Sequence, residues 1–331
     1  MPAEPSTKAT AWAIFDRIVA DAAPAGVHTN PWLRTVDRLT YRPDFKVLRK
    51  LLGVPLYLDA PSTTGVPALA LDVWMSYELR RAGFDPDAVW PRPTDPRIMP
   101  GAISSLLDGL PQRERQLIEA RLRRSMKGVA GSSASVLGKH YMKQVDVVMS
   151  DWDTGPELLI STKRMDSSFG KNAANRVEES YGDAKNLRLR HPLAALGFVY
   201  GLRSTILSTE PDKAEWLIDL LGKLGTEDDA YHATALIMID YQADGVESPE
   251  DEVDSIEKAD AETLFEIIDV ATARVDEALA ALPDIAIRHD VVPPQLQPAR
   301  FLAIMANRVI DTAPVTRHRE ARRRREQAPV G

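Results

Sequence analysis

The apolar positions recur at helical spacing from Ala11 to Ala22, from Asp44 to Leu52 and from Pro67 to Ala82, and the pattern then breaks across Pro86, Pro91, Pro93 and Pro96. A further helix is predicted over Gln112–Lys127, with Leu117, Ile118 and Leu122 on one face, followed by a small-residue loop over 128–135. The period then changes. Tyr141–Val148 and Glu157–Lys163 alternate as strands do, and the turn cluster Asp151-Trp152-Asp153-Thr154-Gly155-Pro156 between them makes a hairpin the natural connection. Helical spacing returns over Asn172–Leu187, where Ala173, Val177, Tyr181 and Ala184 form an apolar stripe. The nearly continuous apolar run Leu193–Leu202 suits a buried central strand. Asp212–Leu224 reads as a short helix with Trp216, Leu217, Leu220 and Leu221 inward, and Ala233–Ile239 as another buried strand.

This order is helix, two hairpin strands, helix, strand, helix, strand, and it demands an α/β fold with a mixed central sheet flanked by helices. The sequence divides by character into a helical N-terminal region (1–110), a core (111–245) and a helical C-terminal region (246–331). In the last of these, an acidic stretch over Glu247–Asp260 is expected to be a solvated loop or helix entrance. An amphipathic helix follows over Ala261–Leu282, and the chain ends in a basic tail over Arg317–Glu326.

The composition narrows the function classes. The 331 residues are 44% hydrophobic and 27% charged, an ordinary globular balance. With no cysteine there is no disulfide framework, thiolate nucleophile or cysteine zinc site, and the histidines form no pair at ligand spacing. No leader pattern opens the sequence and no apolar stretch reaches the roughly 18 residues of a membrane span, so a cytoplasmic protein without membrane contact is expected. The net charge of -7 conceals a strong asymmetry. From Arg113 to Arg203 there are 16 Lys and Arg against 10 Asp and Glu, whereas from Ser204 to Thr312 there are 7 against 24. Local field governs the binding of a polyanion, so the basic stretch is a candidate for it.

The candidate chemistry falls in that same stretch. The hairpin sets Asp146 on one strand beside Lys163 on the next. A carboxylate there can hold Mg²⁺, and an ammonium group can stabilise the charge on a phosphate undergoing attack. A phosphate-loop reading of Gly131–Lys139 fails, because the glycines are too far apart and His140 follows the lysine where Ser or Thr is required.

Asp146, Lys163 and the order of the later strands and helices resemble the PD-(D/E)XK nuclease superfamily, typified by type II restriction endonucleases, over about residues 112 to 240. The resemblance implies a restriction-endonuclease-like core acting as a Mg²⁺-dependent DNA endonuclease. Two positions depart from the superfamily pattern. Val145 precedes Asp146 where proline is usual, and Ser161 occupies the place of the second acid, two residues before the lysine. The chain is similar to a subgroup with Ser/Thr-x-Lys in which a glutamate of the following helix supplies the missing carboxylate. Glu178 and Glu179 are the candidates, and helical-face geometry favours Glu178.

The implied catalytic set is Asp146, Ser161, Lys163, Glu178 and Glu179, with Asp146 and Glu178 or Glu179 as metal ligands. Glu78, in the helix before the hairpin, is a further candidate ligand, and Glu119 competes for its role. Lys139, Lys143, Arg164, Ser167, Lys171, Asn172 and Arg176 are candidates for contact with double-stranded DNA, since such groups suit phosphates and, for Arg and Asn, base edges. A type II restriction enzyme reading a palindromic site would act as a homodimer or dimer of dimers. The alternatives are a modification-dependent, phage-defence or repair nuclease of the same fold, and a noncatalytic DNA-binding module.

Overall fold

The protein is described here as a computed structural model covering residues 6–122, 134–167, 169–242 and 272–330, with the backbone alone at 170–176. The expected acidic stretch over Glu247–Asp260 and much of the loop over 128–135 lie outside the described residues.

Among the described residues the N-terminal third holds α1 (Thr7–Ala22), the short pair β1 (Trp32–Arg34) and β2 (Leu39–Tyr41), α2 (Phe45–Tyr57), α3 (Val66–Arg81), β3 (Val89–Trp90), α4 (Gly101–Asp108) and α5 (Gln112–Leu122). Local chemistry sets the helix starts. The Ser6 hydroxyl accepts the Ala9 N–H at 3.2 Å, and the Asp44 carboxylate accepts the N–H groups of Lys46 and Val47 at 3.1 Å each, satisfying donors that a helix leaves unpaired.

The middle third holds β4 (Ala134–Leu137), β5 (Met142–Val145), β6 (Val147–Asp151), β7 (Gly155–Met165), α6 (Phe169–Arg188), β8 (Ala195–Arg203), α7 (Ile206–Thr209), α8 (Pro211–Leu224) and β9 (Ala233–Asp240). After it come α9 (Thr272–Ala280), β10 (Ala286–Ile287), α10 (Pro298–Thr312) and α11 (Arg319–Glu326).

A six-stranded mixed sheet runs in the order β10-β9-β8-β7-β6-β3. β6 and β7 form the expected antiparallel hairpin, while β8 lies parallel to β7 and β9 parallel to β8, each reached through a helical crossover. The run Tyr141–Val148 differs from expectation. It is two strands in two sheets: β5 pairs with β4, β6 joins the main sheet, and Asp146 stands at the break.

Both faces of the sheet are covered, so its strands are apolar at nearly every position. Val147, Met149, Leu158, Ile160, Val199, Ala235 and Ile237 face a core shared with α1, α2, α3 and α10. Val148, Leu159, Leu196, Phe198, Tyr200, Leu236 and Met238 face a second core shared with α6 and α8. The first core draws on residues from Ala11 to Ala328, so it crosses the divisions near 110 and 245 that sequence character suggests.

Some expected faces are turned. Trp216 and Tyr181 are exposed, and the inward positions of α8 are Ala214, Leu217, Leu221 and Leu224. The basic tail is part of the fold. Arg322 donates to the carbonyls of Ile310 and Ala313 at the end of α10, Arg324 to those of His28 and Arg81, and Arg325 pairs with Asp311. These arginines are engaged within the fold because free carbonyls at a helix end and nearby carboxylates receive them.

Helix α10 rests directly on β8. A Cβ at Gly197 would stand 2.6 Å from the ring of Phe301, whereas one at Gly182 on α6 would meet nothing within 4 Å. Gly197→Ala is therefore expected to cost about 1–3 kcal/mol through overpacking. Gly182→Ala should be neutral or should stabilise by up to about 1 kcal/mol through helix propensity. Urea denaturation of both variants checks the contrast.

Candidate active site

β7 sends successive side chains to opposite faces of the sheet. Thr162 and Arg164 turn toward α3: the Thr162 hydroxyl hydrogen-bonds the Asp72 carboxylate, and Arg164 Nη1 points to the Pro67 carbonyl at 3.4 Å. Ser161 turns toward α6, with its hydroxyl beside the Tyr231 phenol, and alternation sends Lys163 the same way. The Tyr231 hydroxyl donates to the Ser180 carbonyl of α6 at 2.8 Å, so Tyr231 joins this face of β7 to that helix.

Asp146 reaches the strand edge from the break between β5 and β6. The register pairs Val147 with Ile160, so its next step brings Asp146 opposite Ser161. Asp146 Oδ2 accepts the backbone N–H of Thr162 at 2.8 Å. Burial raises its pKa, a trend opposed by the Lys163 ammonium, the Thr162 N–H and Lys143, and reinforced by the Asp183 charge.

Asp72, buried on α3, is pushed further. Burial drives its pKa well above the ordinary carboxylate range and the Asp146 charge adds to this, while the Thr162 hydroxyl and the Lys8 and Lys163 ammonium groups oppose it. One residue, Thr162, thus holds an acid on each side of the strand, and desolvation disfavours the charge on both.

α6 brings a second group of charges to the Asp146 side. Lys143 Nζ lies 2.6 Å from Asp183 and 3.2 Å from Glu179, which are one helical turn apart. Burial disfavours the charge on Lys143, but Asp183 and Glu179 outweigh it and hold its pKa above the usual value. Asn186 fixes the approach of this strand. Its Oδ1 accepts the His140 N–H at 2.8 Å and its Nδ2 donates to the Tyr141 carbonyl at 3.1 Å, while the Tyr141 hydroxyl donates to Asp183 at 3.1 Å.

The candidates from sequence fall into three groups. Asp146, Ser161 and Lys163 come together on the hairpin, and Glu179, not the favoured Glu178, shares a flank of α6 with Lys143 and Asp183. Both glutamates are exposed on the helix. Glu78 is elsewhere: fully buried, it pairs with Arg81 at 2.7 Å and accepts the Asp44 N–H at 2.7 Å and the Tyr41 hydroxyl at 3.2 Å. Glu119 pairs with Arg115 on α5. Among the candidate DNA contacts, Lys139 is exposed, Lys143 is paired as above and Ser167 is half-buried. Arg164 is buried against Asp166 because strand alternation turns it away from Lys163. The side chains of Lys171, Asn172 and Arg176 lie outside the described residues.

Asp72, Asp183 and Tyr231 escape sequence reasoning. Asp72 left a signal, a lone acid inside the otherwise apolar start of α3, and Asp183 left another, an acid four residues after Glu179. Tyr231 left none, since its place depends on how the end of the β8–β9 connection packs on α6.

Comparisons with protein families, with curated proteins and with solved structures return no match.

The Lys143 contacts have a pH signature. Lys143→Ala leaves buried Asp183 without its ammonium partner beside Asp146, at an expected cost of about 2 kcal/mol at neutral pH. Because the folded chain holds the Lys143 proton more tightly than the unfolded one, this stabilisation is full below the ordinary lysine pKa and is lost as pH rises through the raised value. The difference in melting temperature between wild type and variant should therefore shrink toward strongly alkaline pH.

Proposed function

We propose that the chain is a Mg²⁺-dependent DNA endonuclease of the restriction-endonuclease kind. The observation that carries this reading is the place of half-buried Asp146 beside Lys163 on adjacent strands, where desolvation raises its pKa although the Lys163 and Lys143 ammonium groups oppose the shift. An acid whose charge is disfavoured in this way costs stability, and such groups concentrate at sites of chemistry.

The donor chemistry fits Mg²⁺. The available ligands are carboxylate oxygens, and Mg²⁺ ordinarily takes one or two of them and completes its shell with water and substrate phosphate. Among the described residues no three His, Asp or Glu side chains are placed together to hold a metal ion. Asp146 and Glu179 are the residues that would hold the ion. When bound, it lowers the pKa of an attacking water and neutralises charge on the leaving oxygen of a phosphodiester.

The remaining steps belong to side chains. The Lys163 ammonium binds a non-bridging phosphate oxygen and stabilises the charge that grows there during in-line attack. Ser161, beside Tyr231, acts as a positioning residue: the bond from Tyr231 to Ser180 holds the flank of α6 that carries Glu179 and Asp183. Lys139 and the basic stretch around it supply phosphate contacts. Reading both halves of a two-fold duplex site calls for a second copy of the chain.

Digestion of a long unmethylated duplex with Mg²⁺, followed by sequencing of the ends, tests this. Defined ends are expected, lost with a chelator and reduced at least about 100-fold in Asp146→Asn and Lys163→Ala. A parallel digestion of methylated duplex separates a restriction enzyme from a modification-dependent one. Absence of cleavage with Mg²⁺ or Mn²⁺ would leave a noncatalytic DNA-binding module as the better reading.

Asp146→Asn has a second readout. The raised pKa means that the folded chain favours the protonated acid, so its contribution to stability is full at low pH and is lost as pH rises from the ordinary carboxylate range through the raised value. The asparagine does not ionise. The melting temperature of the variant relative to wild type should therefore climb from acid to neutral pH, and a flat difference would count against a burdened Asp146.

A further inference from the structure

At the N-terminal ends of β8 and β9 three basic side chains gather, and among the described residues none of them is paired with a carboxylate. Arg188 ends α6, Arg308 lies on α10 and His232 immediately precedes β9. Among the described residues neither arginine has an ion-pair partner. Burial, and then the Arg188 charge, lower the Arg308 pKa, so the two guanidinium groups lie close enough to repel. Arg308 Nε is enclosed and makes no hydrogen bond, and its Nη2 reaches only the Pro192 carbonyl at 3.4 Å.

The histidine is also unsatisfied. The Leu196 N–H donates to His232 Nδ1 at 2.9 Å, and Arg188 Nη1, which donates to the Ala230 carbonyl at 3.1 Å, stands 3.0 Å from His232 Nε2. Burial, Arg308 and Arg188 lower the His232 pKa to about 4, so the ring is neutral at physiological pH. A neutral imidazole has one N–H and one lone pair. Donors face both of its nitrogens, so one contact sets an N–H against an N–H. With Nδ1 occupied by Leu196, the unmatched hydrogen is on Nε2, beside the guanidinium. An oxyanion resolves all three problems, since it accepts from Nε2–H, from Arg188 and from Arg308 Nε while neutralising the paired positive charge.

We propose that Arg188, Arg308 and His232 form a binding site for a phosphate group, either free or part of a phosphodiester backbone. The site is separate from the hairpin acids. Lys163 pairs with Tyr200 on β8, and the Leu196 N–H bound by His232 lies four residues earlier on that strand, about 13 Å away along it. It is also independent of the nuclease reading, because phosphate binding by the full chain is measured without any cleavage.

Calorimetric titration with inorganic phosphate, against chloride at matched ionic strength, is the test. Saturable binding is expected in wild type, weakened at least about tenfold in Arg308→Gln, partly retained in Arg308→Lys and unchanged in Arg300→Gln on the same helix. Fluorescence anisotropy with a short duplex then identifies the source of the phosphate. Weaker duplex binding in Arg308→Gln, with competition by phosphate, assigns a backbone phosphate, and unchanged duplex binding assigns a free one. No saturable response to phosphate, or the same response in Arg308→Gln as in wild type, overturns the proposal.

Discussion

Thr162 is the point on which the site depends. Its amide binds Asp146 and its hydroxyl binds Asp72, so a single residue of β7 holds one acid on each face of the sheet. β7 cannot shift to relieve them, because β6 and β8 pair with it on both sides and both of its faces are packed. A one-residue slip would exchange the two faces and send Lys163 into the core of α1 to α3. The sheet therefore fixes two acids in a place where their charge is costly. Such charge is favourable only when a cation, a proton or a substrate group completes it.

The rest of the chain supports this strand from outside. α3 contributes Asp72 and, farther along, the buried Glu78–Arg81 pair that ties it to Tyr41 and to the start of α2. The C-terminal segment closes on the other end of the hairpin. Arg317 bonds to Asp151 and Asp153 at the β6–β7 turn, and His318 lies 3.1 Å from Glu157. Residues from both ends of the sequence thus brace the hairpin, which is why the core crosses the divisions drawn from sequence character.

The hairpin, the two buried parallel strands and their crossover helices were legible because each carries a clear period bounded by turn residues. The break at Asp146 was not. An alternating run reads as one strand, and only tertiary pairing shows that its halves join different sheets. The pairing of Asp146 with Lys163 followed from spacing, whereas the relation of Glu178 and Glu179 to it did not. That choice depends on the rotation of α6, which Val177, Ala184 and Leu187 set by packing against the sheet, with Tyr181 left outside. Arg164 illustrates the limit of composition: a basic residue in a basic stretch can be buried when alternation turns it inward. The group of Arg188, Arg308 and His232 joins residues far apart in sequence, so no local pattern announced it.

On the proposed reading a divalent cation completes the charge around Asp146. Calorimetric titration of Mg²⁺ into the full chain, in two buffers of different ionisation enthalpy and at a series of pH values, measures both the binding and its linked protons. Because Asp146 holds its proton more tightly than an ordinary carboxylate, saturable binding is expected with proton release that grows toward acid pH, both lost in Asp146→Asn. Saturable binding that persists unchanged in Asp146→Asn, or no saturable binding in wild type, would contradict it.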